Sequence, residues 1–318
     1  MKRRLLTALA IATVSMMTVT ACHAQLGGIC RALGSVAGAG LGNITRGTPP
    51  ISTNIRDARW GDASKDGFTP NVRVQQLTSL PRSPTGGFVL AGGYYEMRAQ
   101  SYCLHAGTHG PGGGDGYLYA PVLGSRQEIV TTILQNSVAN ADIPQRDIQQ
   151  LLWAIVARAE MQNLQPNIRA AAARLMTPRQ LAGLNRGALA ALTSSQLQGL
   201  VSLPPFAQQV LRAESDLRGL LTSGAGSYGD MERVAVLGGA VGRGEGSIDT
   251  PSGRWSAHPD GYFVRYIPSG YSQTLVQIWV EPRGAGVGRT YDPAQHIAVP
   301  GNTSRQRLAQ SGRVYDAR

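Results

Sequence analysis

Hydrophobic periodicity changes twice along this chain, and those two changes limit the fold more than any other feature. Between Val72 and Tyr102 apolar residues alternate or form short runs: Val72-Arg-Val-Gln-Gln-Leu77, Gly87-Phe-Val-Leu-Ala91, and Tyr94 to Tyr102 after a Gly-Gly turn. Such patterns bounded by glycine are strand signals. Tyr117-Leu-Tyr-Ala-Pro121 reads the same way. From Ser125 the period becomes helical. Ile129, Val130, Ile133 and Leu134 form a stripe behind Ser125 and Glu128, which are spaced as a capping box. A second helix starting near Pro144 carries Ile148, Leu151, Leu152, Ile155, Val156 and Ala159 on one face. Further helices are expected over 167–175 and 204–221. Between them, Thr177-Pro-Arg-Gln-Leu-Ala-Gly-Leu184 is echoed by Thr193-Ser-Ser-Gln-Leu-Gln-Gly-Leu200, each with Thr and Gln in capping-box spacing. Beyond the glycine-rich stretch 238–253, Tyr262–Ile267 and Thr274–Val280 are strands again. This order predicts an α+β fold. A mixed strand and helix domain occupies 71–240, and a small antiparallel β domain occupies 241–318, with a polar tail on the surface from Tyr291.

The N-terminus points to export. Lys2, Arg3 and Arg4 precede an uncharged apolar run from Leu5 to Val19 and a small-residue stretch ending at Cys22-His23-Ala24. This is the secretory signal pattern, shorter than the roughly 20 apolar residues of a membrane span. Cleavage after Ala24 removes residues 1–24. Val19-Thr-Ala-Cys22 also reads as a lipobox, with Cys22 as the acylated residue. Residues 25–70 are rich in Gly, Ser, Thr and Pro and read as a loose leader. The chain holds 30 Lys and Arg against 19 Asp and Glu, and Lys65 is the one lysine beyond the signal. The arginines are scattered, so composition excludes the clustered basic face of a nucleic-acid binder. A membrane enters only through a lipid at Cys22. The expected location is the periplasm, the outer membrane or the outside of a Gram-negative cell.

Three cysteines are present: Cys22, Cys30 and Cys103. In an oxidising compartment a Cys30–Cys103 disulfide is the default expectation. A second chemistry arises from Tyr102-Cys103-Leu104 and the helical stretch Ile148-Gln149-Gln150-Leu151-Leu152-Trp153. At 100° per residue Gln149 falls on the flank of the buried stripe between Val156 and Trp153, and Gln150 falls on the wet side. A buried amide needs partners.

These two stretches, residues 102–155, resemble the thioester domain of bacterial surface adhesins. In that family a Cys follows an aromatic residue and a Gln sits in Thr-Gln-x-x-Ile-Trp; here Ile148 stands in place of the Thr. The resemblance implies that Cys103 and Gln149 condense with loss of ammonia into an internal thioester, with Tyr102 and Trp153 packed beside it. It implies covalent attachment to an amine or hydroxyl of a surface ligand, protein or polysaccharide.

Other readings use the same residues. Cys103 could serve an envelope hydrolase with His105, His109, His258 or His296 as base, His258 being the better placed, in Ser-Ala-His258-Pro-Asp260. The glycine loop 107–116 lacks the ending of a phosphate cradle. It reads as a cover for Cys103, and His109 and Asp115 alone make no metal site. Trp255, Tyr262, Phe263, Tyr266, Tyr271 and Trp279 form either a sugar-binding face or sheet core. No cofactor motif is visible. The sequence therefore predicts an exported binding protein. Covalent adhesion through Cys103 and Gln149, Cys-dependent hydrolysis, and a disulfide-stabilised structural role stand as its alternatives.

Overall fold

In the computed structural model, residues 49–52, 54–186, 205–224 and 226–316 are described. The signal, Cys22, Cys30, most of the 25–70 leader and the second copy of the capping repeat (193–200) lie outside them. The fold is α+β. Its strands are β1 (Val74–Gln76), β2 (Phe88–Val89), β3 (Gly93–Cys103), β4 (Thr108–His109), β5 (Tyr117–Pro121), β6 (Val236–Leu237), β7 (Ser256–Ala257), β8 (Phe263–Pro268), β9 (Gln273–Val280), β10 (Thr290–Tyr291), β11 (His296–Pro300) and β12 (Leu308–Val314). Its helices are α1 (Gln127–Ala139), α2 (Gln145–Val156), α3 (Pro166–Leu175), α4 (Pro178–Arg186), α5 (Pro205–Thr222) and α6 (Tyr228–Ala235).

The main sheet runs β1-β3-β12-β11-β5-β8-β7, and β9 pairs with both β3 and β8. That double pairing closes β3, β12, β11, β5, β8 and β9 into a ring, which leaves no open edge within it. Alternation along the strands gives the barrel two different faces. Tyr95, Met97, Ala99, Tyr117, Tyr266, Val276, Ile278 and Leu308 belong to one apolar cluster. Tyr102, Leu118, Ala120, Ile297, Val299 and Ala309 belong to a second, which they share with the helices. In α2 all nine residues from Ile148 to Val156 are buried, so it is a core helix rather than an amphipathic surface one. Gln150, placed on the wet side by the wheel, is buried as well; its Nε2 donates to Met231 Sδ at 3.4 Å.

Several expectations are corrected. The boundary near 240 does not separate two folding units, because strands from both sides of it interleave in the barrel. The tail from Tyr291 is not surface-lying: β11 is buried along its whole length, and β12 lies between β3 and β11. Its polar residues misled the reading because they are buried with partners. Arg307, fully buried, donates to the carbonyls of Thr303 and Arg305. The capping box at Ser125 and Glu128 does not form; the Ser125 hydroxyl donates to Pro49 O instead. The Thr177–Gln180 box does form, with bonds of 3.0 and 3.2 Å. The described part of the leader is packed, with Ile51 and Ala58 buried in the helical core.

Gly107 shows why the loop after β3 needs glycine. Its φ is +71°, and an added Cβ would lie 2.7 Å from Ala213 Cβ on α5. Gly107 N donates to Ala235 O, and Gln209 on α5 donates to Gly107 O. Substituting Gly107→Ala combines backbone strain with a clash. It is expected to lower stability by about 1–3 kcal/mol, read as a lower urea midpoint with unchanged m-value. An unchanged midpoint would show that α5 is not docked there.

Candidate functional site

Cys103 is the last residue of β3, completely buried, and is the one cysteine among the described residues. Its cross-strand partner is Leu308. Two residues before Leu308, Gln306 falls diagonally across from Cys103, within reach of a long side chain. The thiol donates to Gln306 Oε1 at 2.6 Å, and His105 O lies 3.5 Å from the sulfur. The first contact is closer than an ordinary hydrogen bond to the bulky sulfur atom. The carbonyl carbon of Gln306 lies one C=O bond, about 1.23 Å, behind that oxygen. It is therefore within about 3.8 Å of the sulfur, at the edge of near-attack separation.

The Gln306 carboxamide is locked in this orientation. Its Nε2 donates to Thr108 O at 3.0 Å and to Ala235 O at 2.8 Å. Two carbonyls can only accept, so the amide cannot be flipped and its oxygen must face the sulfur. The carbonyls come from β4 and from the end of α6, where β4 and β6 pair in parallel. Gln306 is itself completely buried.

Gln149 meets the same cysteine in a different way. Its Oε1 accepts from Cys103 N at 2.8 Å, and its Nε2 donates to Cys103 O at 3.0 Å. Both ends of the amide are used on the peptide of Cys103. The structure thus brings Cys103 and Gln149 together through the backbone, while the sulfur faces Gln306. The sequence reading found the cluster and missed this second glutamine. Its signal, a polar residue two before a strand that pairs with β3, depends on a pairing some 200 residues apart in the chain.

Trp153 and Tyr228 finish the enclosure. Their rings stack at 5.6 Å and 29°. Trp153 is completely buried, and its Nε1–H has no hydrogen-bond partner apart from its approach to the Cys103 sulfur. Burial pushes the Cys103 thiol up to about 12; hydrogen bonding from the His105 backbone and then from Trp153 opposes this, and Glu232 adds to it. Tyr102 is buried beside Cys103, its hydroxyl donating to Gln100 Oε1 at 3.0 Å. Gln149, Tyr228 and Tyr271 line a cleft of about 1060 Å³ open to the surface.

Among the described residues no imidazole contacts the sulfur. Both ring nitrogens of His105 are buried without partners, and burial, reinforced by Arg307, lowers this histidine to about 3. His258 and His296 instead share a contact of 3.1 Å between their Nε2 atoms. Asp260 N–H donates to His258 Nδ1 at 3.1 Å and His296 Nδ1 sits 2.6 Å from Asp292 O. His258 Nε2–H must therefore donate to His296, and both rings are neutral. They line a second cleft of about 710 Å³; Cys103 lines neither of the two. His109 and Asp115 take separate partners: Asp115 pairs with Arg305 at 2.8 Å, while His109 N donates to Ser304 O. Among the described residues no cluster of three His, Cys, Asp or Glu could hold a metal. Of the C-terminal aromatics, Trp255, Tyr262 and Tyr266 are core residues. Phe263 and Trp279 stack at 5.1 Å under the Lys65 ammonium. Cys30 and Cys22 lie outside the described residues, and so do the disulfide and lipid readings that need them.

Two measurements follow from this geometry. Replacing Gln149→Ala leaves the buried N–H and C=O of Cys103 without partners, at about 1–3 kcal/mol for each, so a large drop in urea midpoint is expected. A drop of less than about 1 kcal/mol would mean water replaces the amide. The buried histidines give a pH dependence. His105 and His296 are lowered to about 3 and His258 to about 4, each chiefly by burial. All three stay neutral in the fold and take up a proton near pH 6.5 when unfolded. Their contribution is complete above that pH and is lost as pH falls toward 4, by up to about 1.4 kcal/mol per pH unit each. A urea midpoint that stays flat from pH 7 to pH 5 would contradict this burial. Comparison with protein-family models, curated proteins and solved structures finds no match to this chain.

Proposed function

We propose that this chain is an exported binding protein that attaches covalently to a surface target through an internal thioester between Cys103 and Gln306. The observation that carries the reading is the 2.6 Å contact of the Cys103 sulfur with the clamped Gln306 carboxamide. The bond would form by attack of sulfur on the carboxamide carbon. The thiol proton leaves with the amide nitrogen as ammonia, and the S–C bond replaces the C–N bond. Holding the two groups in one orientation supplies the proximity that an uncatalysed attack lacks. Thr108 O and Ala235 O hold the departing nitrogen, and Gln149 fixes the peptide that carries the sulfur.

Burial then protects the product. A thioester is uncharged, so the desolvation that disfavours a Cys103 thiolate does not disfavour the bond. The same desolvation makes the thiolate a poor leaving group, and a sealed site keeps water from the acyl carbon. A target amine or hydroxyl entering from the cleft would take the acyl group and leave a covalent link on Gln306. The hydrolase alternative wants an imidazole at the sulfur, and among the described residues none is in contact with it. Export is proposed from the N-terminal pattern of charge and hydropathy.

Intact mass tests the reading. The mature protein is expected to weigh one ammonia less than its sequence, and Cys103→Ala and Gln306→Ala should each remove the deficit. After reaction with methylamine, peptide mapping should place the methylamide on Gln306. A methylamide on Gln149 would reassign the acyl partner. A full-weight protein with an intact thiol would sink the proposal, and a mass two hydrogens light would indicate a disulfide.

A further inference from the structure

A chain of hydrogen-bonded side chains that the thioester by itself does not use leads away from the cleft lined by Gln149, the residue bonded to the backbone of Cys103. Tyr228 Oη and Tyr271 Oη are 2.9 Å apart, and Tyr271 O–H donates in turn to the Glu232 carboxylate. Tyr228 and Tyr271 both line the cleft. Tyr228 is stacked on Trp153, which borders the sulfur. The chain therefore runs from the ring packed on Trp153, through two phenols on the cleft wall, to a carboxylate on α6. Its parts come from distant places in the sequence: Tyr228 and Glu232 share one face of α6 at i and i+4, and Tyr271 comes from the hairpin between β8 and β9.

We propose that Glu232, Tyr271 and Tyr228 form a proton relay that selects a primary amine, of the kind a lysine side chain carries, and accepts its proton as it attacks the Gln306 acyl group. This assignment rests on the thioester reading of Cys103 and Gln306. An amine arrives as an ammonium ion and must shed one proton before attack and a second as the amide forms. The first goes to solvent as the ammonium enters. In the attack the nitrogen bonds to the Gln306 carbonyl carbon, the C–S bond breaks, and the electron pair goes to sulfur. The second proton passes from the nitrogen to Tyr228, from Tyr228 to Tyr271, and from Tyr271 to Glu232. The sulfur, reprotonated afterwards from solvent, ends as a thiol. The buried Trp153 N–H, which has no other partner, is the group that steadies the departing thiolate.

A further observation favours an amine over a hydroxyl. The chain itself is nearly free of competing amines. Lys2 and Lys65 are its two lysines, and the Lys65 ammonium lies over the rings of Phe68, Phe263 and Trp279, none of which lines the cleft. The other charged groups at the cleft are Arg82, Arg146, Arg313 and Asp316. Arg82 donates to Gly86 O and Gly312 O, and Arg313 to Ile143 O and Ala141 O, which leaves Glu232 as the carboxylate joined to the two phenols.

The test uses the mature protein with methylamine as the amine probe and glycerol as the hydroxyl probe, and mass spectrometry follows each adduct. The ammonia deficit is measured first in every variant, so the state of the thioester is known before either probe is added. Tyr271→Phe, Tyr228→Phe and Glu232→Gln are expected to keep the deficit. They should react with methylamine about 100-fold more slowly, and the rate should rise more steeply with pH than in the native protein. Glu232→Asp should recover part of the rate, and glycerol should react slowly throughout. Variants that keep the deficit and react at the native rate with the native pH profile would overturn the relay and leave the thioester standing. Loss of the deficit in all three variants would also overturn it, showing that the cluster serves formation of the bond. A native protein with no deficit would remove the thioester reading itself.

Discussion

The pairing of β12 with β3 is the constraint on which the site depends. It sets Leu308 opposite Cys103 and so brings Gln306 to the sulfur. A shift of one residue would turn every side chain of β12 to the other face. The register is protected from both sides: Leu308 belongs to the barrel cluster and Ala309 to the helical one. Neither face can be exchanged without losing buried apolar area worth about 25 cal/mol per Å². The reactive geometry is therefore held by the packing of the barrel, and the site's own few hydrogen bonds act as fine adjustment.

Those hydrogen bonds divide the work between two glutamines. Gln149 acts as a piece of borrowed backbone: it satisfies the N–H and C=O of Cys103 at the place where β3 ends. Buried peptide groups must find partners, and here a side chain from α2 supplies them and ties the helix layer to the barrel. Gln306 does the opposite. Its nitrogen is held by two backbone carbonyls and its oxygen is offered to the sulfur, so the carboxamide is held by the backbone and presented to a nucleophile. One amide stabilises the fold, and the other is the acyl donor of the proposed thioester.

The local signals in the sequence were legible, and the distant ones were not. The stripe in α2, the strand ending at Cys103 and the capping box at Thr177 depend on residues a few positions apart, and all are present. That Cys103 and Gln149 are neighbours was implied by the resemblance of residues 102–155 to thioester domains, while the helix pattern alone placed Gln149 only on the flank of a buried stripe. The wheel erred on Gln150, because it assumed solvent on one side of α2 where α6 supplies Met231. Gln306 and β12 stayed hidden because a segment reading Arg305-Gln-Arg-Leu-Ala-Gln-Ser311 carries a surface composition. The side-chain donors of Gln306, Arg307 and Gln310 are taken by carbonyls of Thr108, Thr303 and Leu308, which is a property of the closed barrel and not of any short window.

The electrostatics of the centre set resistance to water against reactivity toward a target. Burial that pushes the Cys103 thiol up to about 12 would leave a free cysteine inert. In a thioester the same burial keeps an activated acyl group intact, because its hydrolysis would have to expel a desolvated thiolate. A target must then bring something that water does not. The cleft wall offers a Tyr–Tyr–Glu chain on α6 and the β8–β9 hairpin, and the capping box of Ser227 with Asp230 pins the start of that helix. Tyr228, the first residue of α6, both stacks on Trp153 and lines the cleft, so under the proposed function the element packed over Trp153 is also one that a target would meet. Protection and delivery converge on this one turn of helix. Any movement that opens the sulfur to a target also moves the phenol that would take the proton of that target.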